Sequence, residues 1–430
     1  VTTLSPPIEQ KRRRTIVGTG VGNALEWFDW NIYAIFATFF AAQFFSGENP
    51  ISALLATLAV FAVGFVARPF GGFLFGWISD RRGRRAAMTL SVGLAAGGSF
   101  AIGLSPTYEA IGVGASLILL LARLVQGLAH GGELPSAQTY LSEVAPREKR
   151  GLWSSLIYVS GTMGVIVGTG MAAVLTAVLN DQQMTAWGWR IPFILGGFFG
   201  LYALVMRRRL DETEAFQQEV GNRPATRLEP MWRTIVRHRK SALLVIGMTV
   251  GVTIVYYAWA ISAPQYAIST RGIDPTSALW AGVLANLVFI ATLPVWGAIS
   301  DRIGRRPVLL ICVLGLAVTA FPLNALIGDS AVRLGIAMAV ALILIAGPAA
   351  IVPAVYAELF PTRIRTVGVG VPYSIAVATF GGTAPYLQTW LGETFGPSWF
   401  NGYVIVMLLI SAVAIAAAPE TKGRDLTSMH

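Results

Sequence analysis

The 430-residue chain is nearly devoid of cysteine. Cys312 stands alone, which excludes an intramolecular disulfide and any metal cage built from thiolates. Histidine is almost as scarce, and His130, His238 and His430 lie too far apart in sequence for the paired spacings that ligate zinc or haem. No metal and no other cofactor is expected. Charge is thin as well: Asp, Glu, Lys and Arg make up 13% of the residues, roughly half the share of an ordinary soluble domain. No nucleophile is paired with a base, so an enzyme is not expected. What fills the chain is apolar, with 54% hydrophobic residues and a mean hydropathy of +0.62, and the solvent for most of it must be lipid. The net charge of +10 raises the question of a nucleic-acid partner. The basic residues cluster beside apolar runs and line no groove-like stripe, so none is expected.

Apolar runs of about 17 to 25 residues, the length that crosses a bilayer core, occur twelve times. They cover roughly 16–41, 52–79, 86–104, 111–140, 152–179, 190–207, 242–269, 276–299, 307–326, 332–358, 366–391 and 400–418. All are predicted to be helical, because an open strand edge in hydrocarbon leaves backbone groups unpaired. The basic stretch before the first run resembles the start of a signal peptide. The run itself is long enough to span and carries no small-residue cleavage site, so it is expected to stay attached as the first helix. With both termini in the cytosol, the inner loops and tails hold 27 of the 32 Lys and Arg residues and the outer loops three, as the retention of basic residues on the cytosolic side demands. Arg68 and Arg123 remain within the membrane. The expected organisation is a cytosolic tail 1–15, a six-helix bundle 16–207, a cytosolic linker 208–240, a second six-helix bundle 241–418 and a cytosolic tail 419–430.

The two halves repeat. GWISDRRGRR, which contains Gly76, Asp80, Arg81, Gly83 and Arg84, returns as GAISDRIGRR with Gly297, Asp301, Arg302, Gly304 and Arg305, at an offset of 221. Glu143 and Pro146 return as Glu358 and Pro361 at an offset of 215. Two landmarks in corresponding loops indicate an internal duplication.

The loop pattern G-x-x-x-D-R-x-G-R-R, present in each half, resembles the signature of the major facilitator superfamily. Within it, GNALEWFDW (Gly22–Trp30), RLVQGLAHGGE (Arg123–Glu133), WGWRIPF (Trp187–Phe193), RRRLDET (Arg207–Thr213) and PETKG (Pro419–Gly423) are similar to the metabolite:proton symporter family, most of all to its alpha-ketoglutarate permease-type members. The resemblance covers essentially the whole chain. It implies an all-α membrane protein of two pseudo-symmetric six-helix bundles, multi-pass in a bacterial cell membrane and monomeric. It also implies proton-coupled symport of a small organic acid by alternating access, with membrane lipid as surroundings. The sequence departs from the family pattern at His130, Leu134 and Pro135. A zwitterion symporter of the proline/betaine kind and a proton antiporter or efflux pump are the alternatives.

Charges inside a bilayer are costly and mark transport paths. By helical rise, Glu26, Asp29, Arg68 and Glu133 fall at one depth near the membrane middle, and Arg123 falls nearer the outer face on a stripe shared with Gln126 and His130. Glu26 and Asp29 are three residues apart, as are His130 and Glu133, so each pair shares a helix face. Asp29, Glu133, Glu26 and His130 are the proton-coupling candidates. Arg123 and Arg68 are the candidates for holding a carboxylate through charge-assisted, bidentate hydrogen bonds, and the bland alternative for Arg68 is a permanent ion pair locking helices. The spans of the second half hold no Asp, Glu, Lys or Arg. Their polar and aromatic residues, among them Tyr257, Gln265 and Tyr373, together with Gln126 from the first half, complete the candidate binding wall. With no cation in the second half, a diacid clamped at both ends is disfavoured, and a monoacid or a zwitterion fits. The ten residues of the duplicated loops are expected to latch the cytosolic side, making contacts when the pore faces outward and losing them when it faces inward.

Overall fold

The computed structural model describes residues 6–45, 49–82, 84–131, 138, 141–142, 145–208, 237–361 and 364–424; the side chains of 6–19, 76, 79–81, 84, 85 and 206–208 lie outside that description. Long helices dominate it. The first half comprises α1 (Pro6–Phe44), α2 (Pro50–Arg82), α3 (Arg84–Gly103), α4 (Val113–His130), α5 (Arg150–Val178) and α6 (Arg190–Arg208). The second half begins with α7, formed by Arg239–Tyr256, a π-helical turn at Tyr257–Ile261 and Ala263–Arg271. It continues with α8 (Pro275–Ile303), α9 (Arg305–Ile327) and α10 (Ala331–Ala357). The last two are α11, in which a π-helical turn at Val377–Gly381 joins Arg365–Ala376 to Ala384–Phe395, and α12 (Pro397–Ala417).

Among the described residues, eleven helical stretches are long and apolar enough to cross a membrane. The twelfth, α1, is 39 residues long, and buried Asn23, Glu26, Asp29 and Asn31 dilute its hydropathy. These polar groups are tolerated because they face protein. α1 starts at Pro6, ahead of the span expected from residue 16, so most of the expected tail is helix.

The start of α8 carries a side-chain cap. Asp274 accepts the Ser277 N–H at 2.8 Å and Pro275 follows it, which fixes the start of α8. Close approach of helices sets the packing within and between the halves. A Cβ at Gly164 of α5 would clash with the Ala24 carbonyl of α1, and a Cβ at Gly297 of α8 would sit 2.7 Å from the Gly151 carbonyl of α5. The widest contact between halves therefore runs along α5 and α8.

The end of the bundle where α5 begins and α8 ends is called the base below. There Asp301 accepts the backbone N–H groups of Gly151 at 2.9 Å and Leu152 at 3.0 Å, capping the N-terminus of a helix in the other half. Arg305 pairs with Asp301 at 2.6 Å. Fully buried Glu358 takes Arg150 at 2.7 Å and the Thr421 hydroxyl at 2.6 Å. Glu420 receives the backbone N–H groups of Arg305 at 2.9 Å and Arg306 at 3.0 Å, and Arg150 donates to the Arg424 carbonyl at 3.2 Å. At the opposite end, Gln265 of α7 donates to the Ile35 carbonyl of α1 at 2.5 Å, and Thr276 donates to Thr176 at 3.1 Å. Tyr386 also packs there on Ala37, Ala41, Ala53, Leu54 and Leu58.

Candidate functional site

Between the halves lies a cavity of about 690 Å³, a volume that includes open solvent at its mouth. α1 contributes Glu26, Trp27, Trp30 and Asn31; α2 contributes Arg68; α5 contributes Tyr158. The second half faces them with Thr249, Val252, Thr253, Tyr256 and Tyr257 of α7, with Tyr356 and apolar residues of α10, and with Tyr373 of α11. The π-helical turn of α7 begins at Tyr257, at cavity level, and Ser262 caps its widened ring by donating to the Tyr257 carbonyl at 2.9 Å. Extra turns of this kind re-aim side chains where a regular helix would bury them against its neighbour.

One chain of polar groups leads from the cavity into the first bundle. His130 sits between two carboxylates, with Nδ1 3.6 Å from Glu26 and Nε2 3.4 Å from Asp29. Asp29 accepts the Ser99 hydroxyl and the Gln126 amide, the latter at 3.1 Å. Gln126 also donates to Ser99 at 2.8 Å and accepts from Arg123 at 2.9 Å. Glu26, His130, Asp29, Gln126 and Arg123 are all less than a tenth exposed. Four helices, α1, α3, α4 and the edge of α6 at Gly196, meet here, and a Cβ at Gly196 would lie 3.0 Å from Asp29.

Both guanidiniums are held on aromatic faces. Arg68 lies 4.0 Å from the Trp30 ring and 4.8 Å from Phe65; Arg123 lies 4.0 Å from Trp30 and 4.5 Å from Tyr33. Cation–π contact of this kind steadies a charge without neutralising it. Among the described residues no carboxylate lies within ion-pair distance of either arginine. Arg68 Nε and Arg123 Nε and Nη2 find no acceptor among them either. A permanent ion pair for Arg68 is therefore not what these residues form.

Of the residues singled out in the sequence, Glu26, Arg68, Tyr257 and Tyr373 line the cavity. Asp29, His130, Gln126 and Arg123 form the chain behind it, with Arg123 at the end away from Glu26, on the helical stripe it shares with Gln126 and His130. Gln265 lies off the cavity and ties α7 to α1. Gly297, Asp301, Gly304 and Arg305 build the base, while the Arg302 side chain is exposed and only its carbonyl is used, by Lys422 at 2.6 Å. Glu133 and Gly83, and the side chains of Gly76, Asp80, Arg81 and Arg84, lie outside the described residues. The sequence reading missed Ser99, Trp27, Trp30, Asn31 and Tyr158 at the site, and Arg150 and Glu420 at the base. Arg150 was legible in principle, since Arg365 stands at the same 215-residue offset as the Glu–Pro echo, and Arg365 donates to the Ala357 carbonyl at 2.9 Å as Arg150 does to the Ser142 carbonyl at 3.1 Å.

Known proteins resemble the chain along most of its length. A family model described as Major Facilitator Superfamily matches residues 19–274, and one described as Sugar (and other) transporter matches residues 225–430. Alpha-ketoglutarate permease of Escherichia coli (strain K12) is 37% identical over 421 residues, 96% of each chain. A putative proline/betaine transporter of Staphylococcus haemolyticus (strain JCSC1435) is 34% identical over 98% of this chain and 91% of its own. Among solved structures, a crystal structure of a D-xylose-proton symporter superposes with a TM-score of 0.72 at 20% identity, over 95% of this chain and 98% of that one.

Proposed function

Because this chain belongs to the major facilitator superfamily and is a multi-pass membrane transporter, we propose that it is a proton-coupled symporter of a small carboxylate-bearing metabolite. The observation that carries the reading is the Glu26–His130–Asp29 chain, which runs from the cavity wall into the bundle beside the Arg68 guanidinium, which meets no carboxylate among the described residues. A carboxylate and an imidazole in a row can pass a proton along a path that water does not reach. Taking up that proton removes one negative charge from a site where buried charges attract each other strongly. The Arg68 guanidinium is then left to a substrate carboxylate, which it can hold in a fork of two hydrogen bonds.

The named relatives favour the same chemistry, since alpha-ketoglutarate, proline and betaine each carry a carboxylate. Glu133, three residues beyond His130, completes the acidic set in this reading. Both termini face the cytosol, on the strength of the basic loops. The base contacts of Asp301, Arg305 and Glu358 part when the cavity opens on that side, and the paired loop around Asp80, Arg81 and Arg84 does the same in the first half. The chain acts as a monomer surrounded by lipid. Proton antiport would use the same acids in the opposite sense.

The test is uptake of radiolabelled 2-oxoglutarate, proline and betaine into proteoliposomes under an imposed inward proton gradient. One of the three accumulates, a protonophore abolishes the accumulation, and Asp29→Asn lowers it at least about tenfold while leaving gradient-free counterflow. Accumulation that survives Asp29→Asn refutes the proposed proton site, and proton-driven loss of preloaded substrate points to antiport.

A further inference from the structure

Three rings on the cavity wall stand nearly perpendicular to one another. Trp27 meets Tyr158 at 82° with centroids 5.3 Å apart, Trp27 meets Tyr256 at 74° and 5.8 Å, and Tyr158 meets Tyr256 at 78° and 5.7 Å. Three mutually perpendicular planes make the corner of a box, and two halves of the transporter contribute to it, α1 and α5 on one side and α7 on the other. Aromatic faces carry negative quadrupole density, so such a corner attracts a cation and repels an anion.

The other groups on the wall agree with this. Among the described lining residues Arg68 is the one cation and Glu26 the one carboxylate. Asn31 donates its amide N–H to the Trp27 carbonyl at 2.8 Å, which fixes the amide's orientation. Its Oδ1, buried and without a donor among the described residues, is left as a hydrogen-bond acceptor beside the corner. The wall contributed by the second half holds no charge, and its apolar part is Val252, Ile345, Pro348, Ala349 and Val352.

We infer that the substrate is a compact zwitterion with one carboxylate and one ammonium centre, and not a dicarboxylate. The carboxylate goes to Arg68, and the ammonium goes to the Trp27–Tyr158–Tyr256 corner with Glu26 as its counter-charge. A second carboxylate would be stripped of water and set against ring faces, an acceptor oxygen and an acid, with no second cation among the described lining residues to receive it. A quaternary ammonium satisfies the corner by cation–π contact alone, and a primary or secondary one also donates to Asn31.

This inference rests on the carboxylate reading above and is tested without a proton gradient, by equilibrium binding of radiolabelled proline, glycine betaine, lactate and 2-oxoglutarate to the full chain in lipid nanodiscs. Proline or betaine binds at least about tenfold more tightly than 2-oxoglutarate. Trp27→Leu weakens that zwitterion about tenfold and leaves lactate within about twofold, Trp27→Phe recovers most of the loss, and Tyr158→Leu repeats the pattern at an independent ring. Binding of 2-oxoglutarate as tight as that of either zwitterion overturns the inference, as does an equal loss of lactate and zwitterion in Trp27→Leu. Failure of all four probes to bind overturns the carboxylate reading with it. Failure of proton coupling alone shows instead as uptake that ignores the gradient while this order of binding stands.

Discussion

Gln126 joins three polar partners in the first bundle's core, and it carries no charge. Its amide joins Asp29, Ser99 and Arg123, so that a carboxylate and a guanidinium share a buried region without touching. Separation of this kind keeps both charges available, whereas direct contact would lock them in a pair. Gln126→Leu keeps the volume but strands an oxygen of Asp29 and an N–H of Arg123. The expected cost is about 1–3 kcal/mol, read as a lower thermal unfolding midpoint in detergent; an unchanged midpoint would mean that water replaces the amide. The ionisable members of this cluster were legible in the sequence because charge in lipid is rare enough to announce itself. Ser99 was not, since a serine in a helix rich in glycine and alanine has no distinguishing pattern. The Trp27–Tyr158–Tyr256 corner was hidden for a different reason: aromatic residues in spans are common at interfaces, and only the packing of α1, α5 and α7 makes these three converge.

Among the elements, the α5–α8 seam decides whether the base can close. Gly151 and Gly297 bring backbone against backbone there, and Asp301 caps α5 from across the interface. Gly297→Val forces side-chain atoms into that contact, an overpacking that costs about 1–3 kcal/mol, and it loads the cost on the closed base alone. The expected result is a base that stands open more often. In a Cys312→Ala background, a cysteine placed at Ser300, which is fully buried, should react with a maleimide several-fold faster when Gly297→Val is added, and equal rates would sink the idea. The twelve spans themselves were legible because hydrocarbon permits few alternatives to long apolar helices. The extra turns in α7 and α11 were not, because they depend on tertiary packing at the cavity, as where Gly381 meets Thr253 and Tyr257, and on no local sequence signal.

On the scale of the whole molecule, the halves are joined at the base by charge and at the other end by neutral hydrogen bonds and small apolar side chains. The two ends should therefore answer differently to pH. Burial opposes ionisation of Glu420, but the backbone N–H groups of Arg305, Lys422, Arg306 and Thr421 outweigh it and hold the carboxyl below its ordinary value of 4.5. A depressed carboxyl contributes stability that is fully present above its ordinary value and is lost as pH falls through its folded one. Base closure in the wild type, followed by the distance between a pair of spin labels placed across it, should hold down to pH 4.5 and weaken below it, and Glu420→Gln should remove that step; a step that persists unchanged in the variant would refute the role given to Glu420. The stretch from Glu420 to Arg424 reaches both halves, through Arg305, Arg306 and Glu358 on one side and Arg150 on the other. Since it follows α12 in the chain, it leaves the ribosome after all twelve helices. A nascent carrier can insert all twelve helices and still lack its fastening, so biosynthesis itself imposes an interval in which the assembled protein is in the membrane with a base not yet secured.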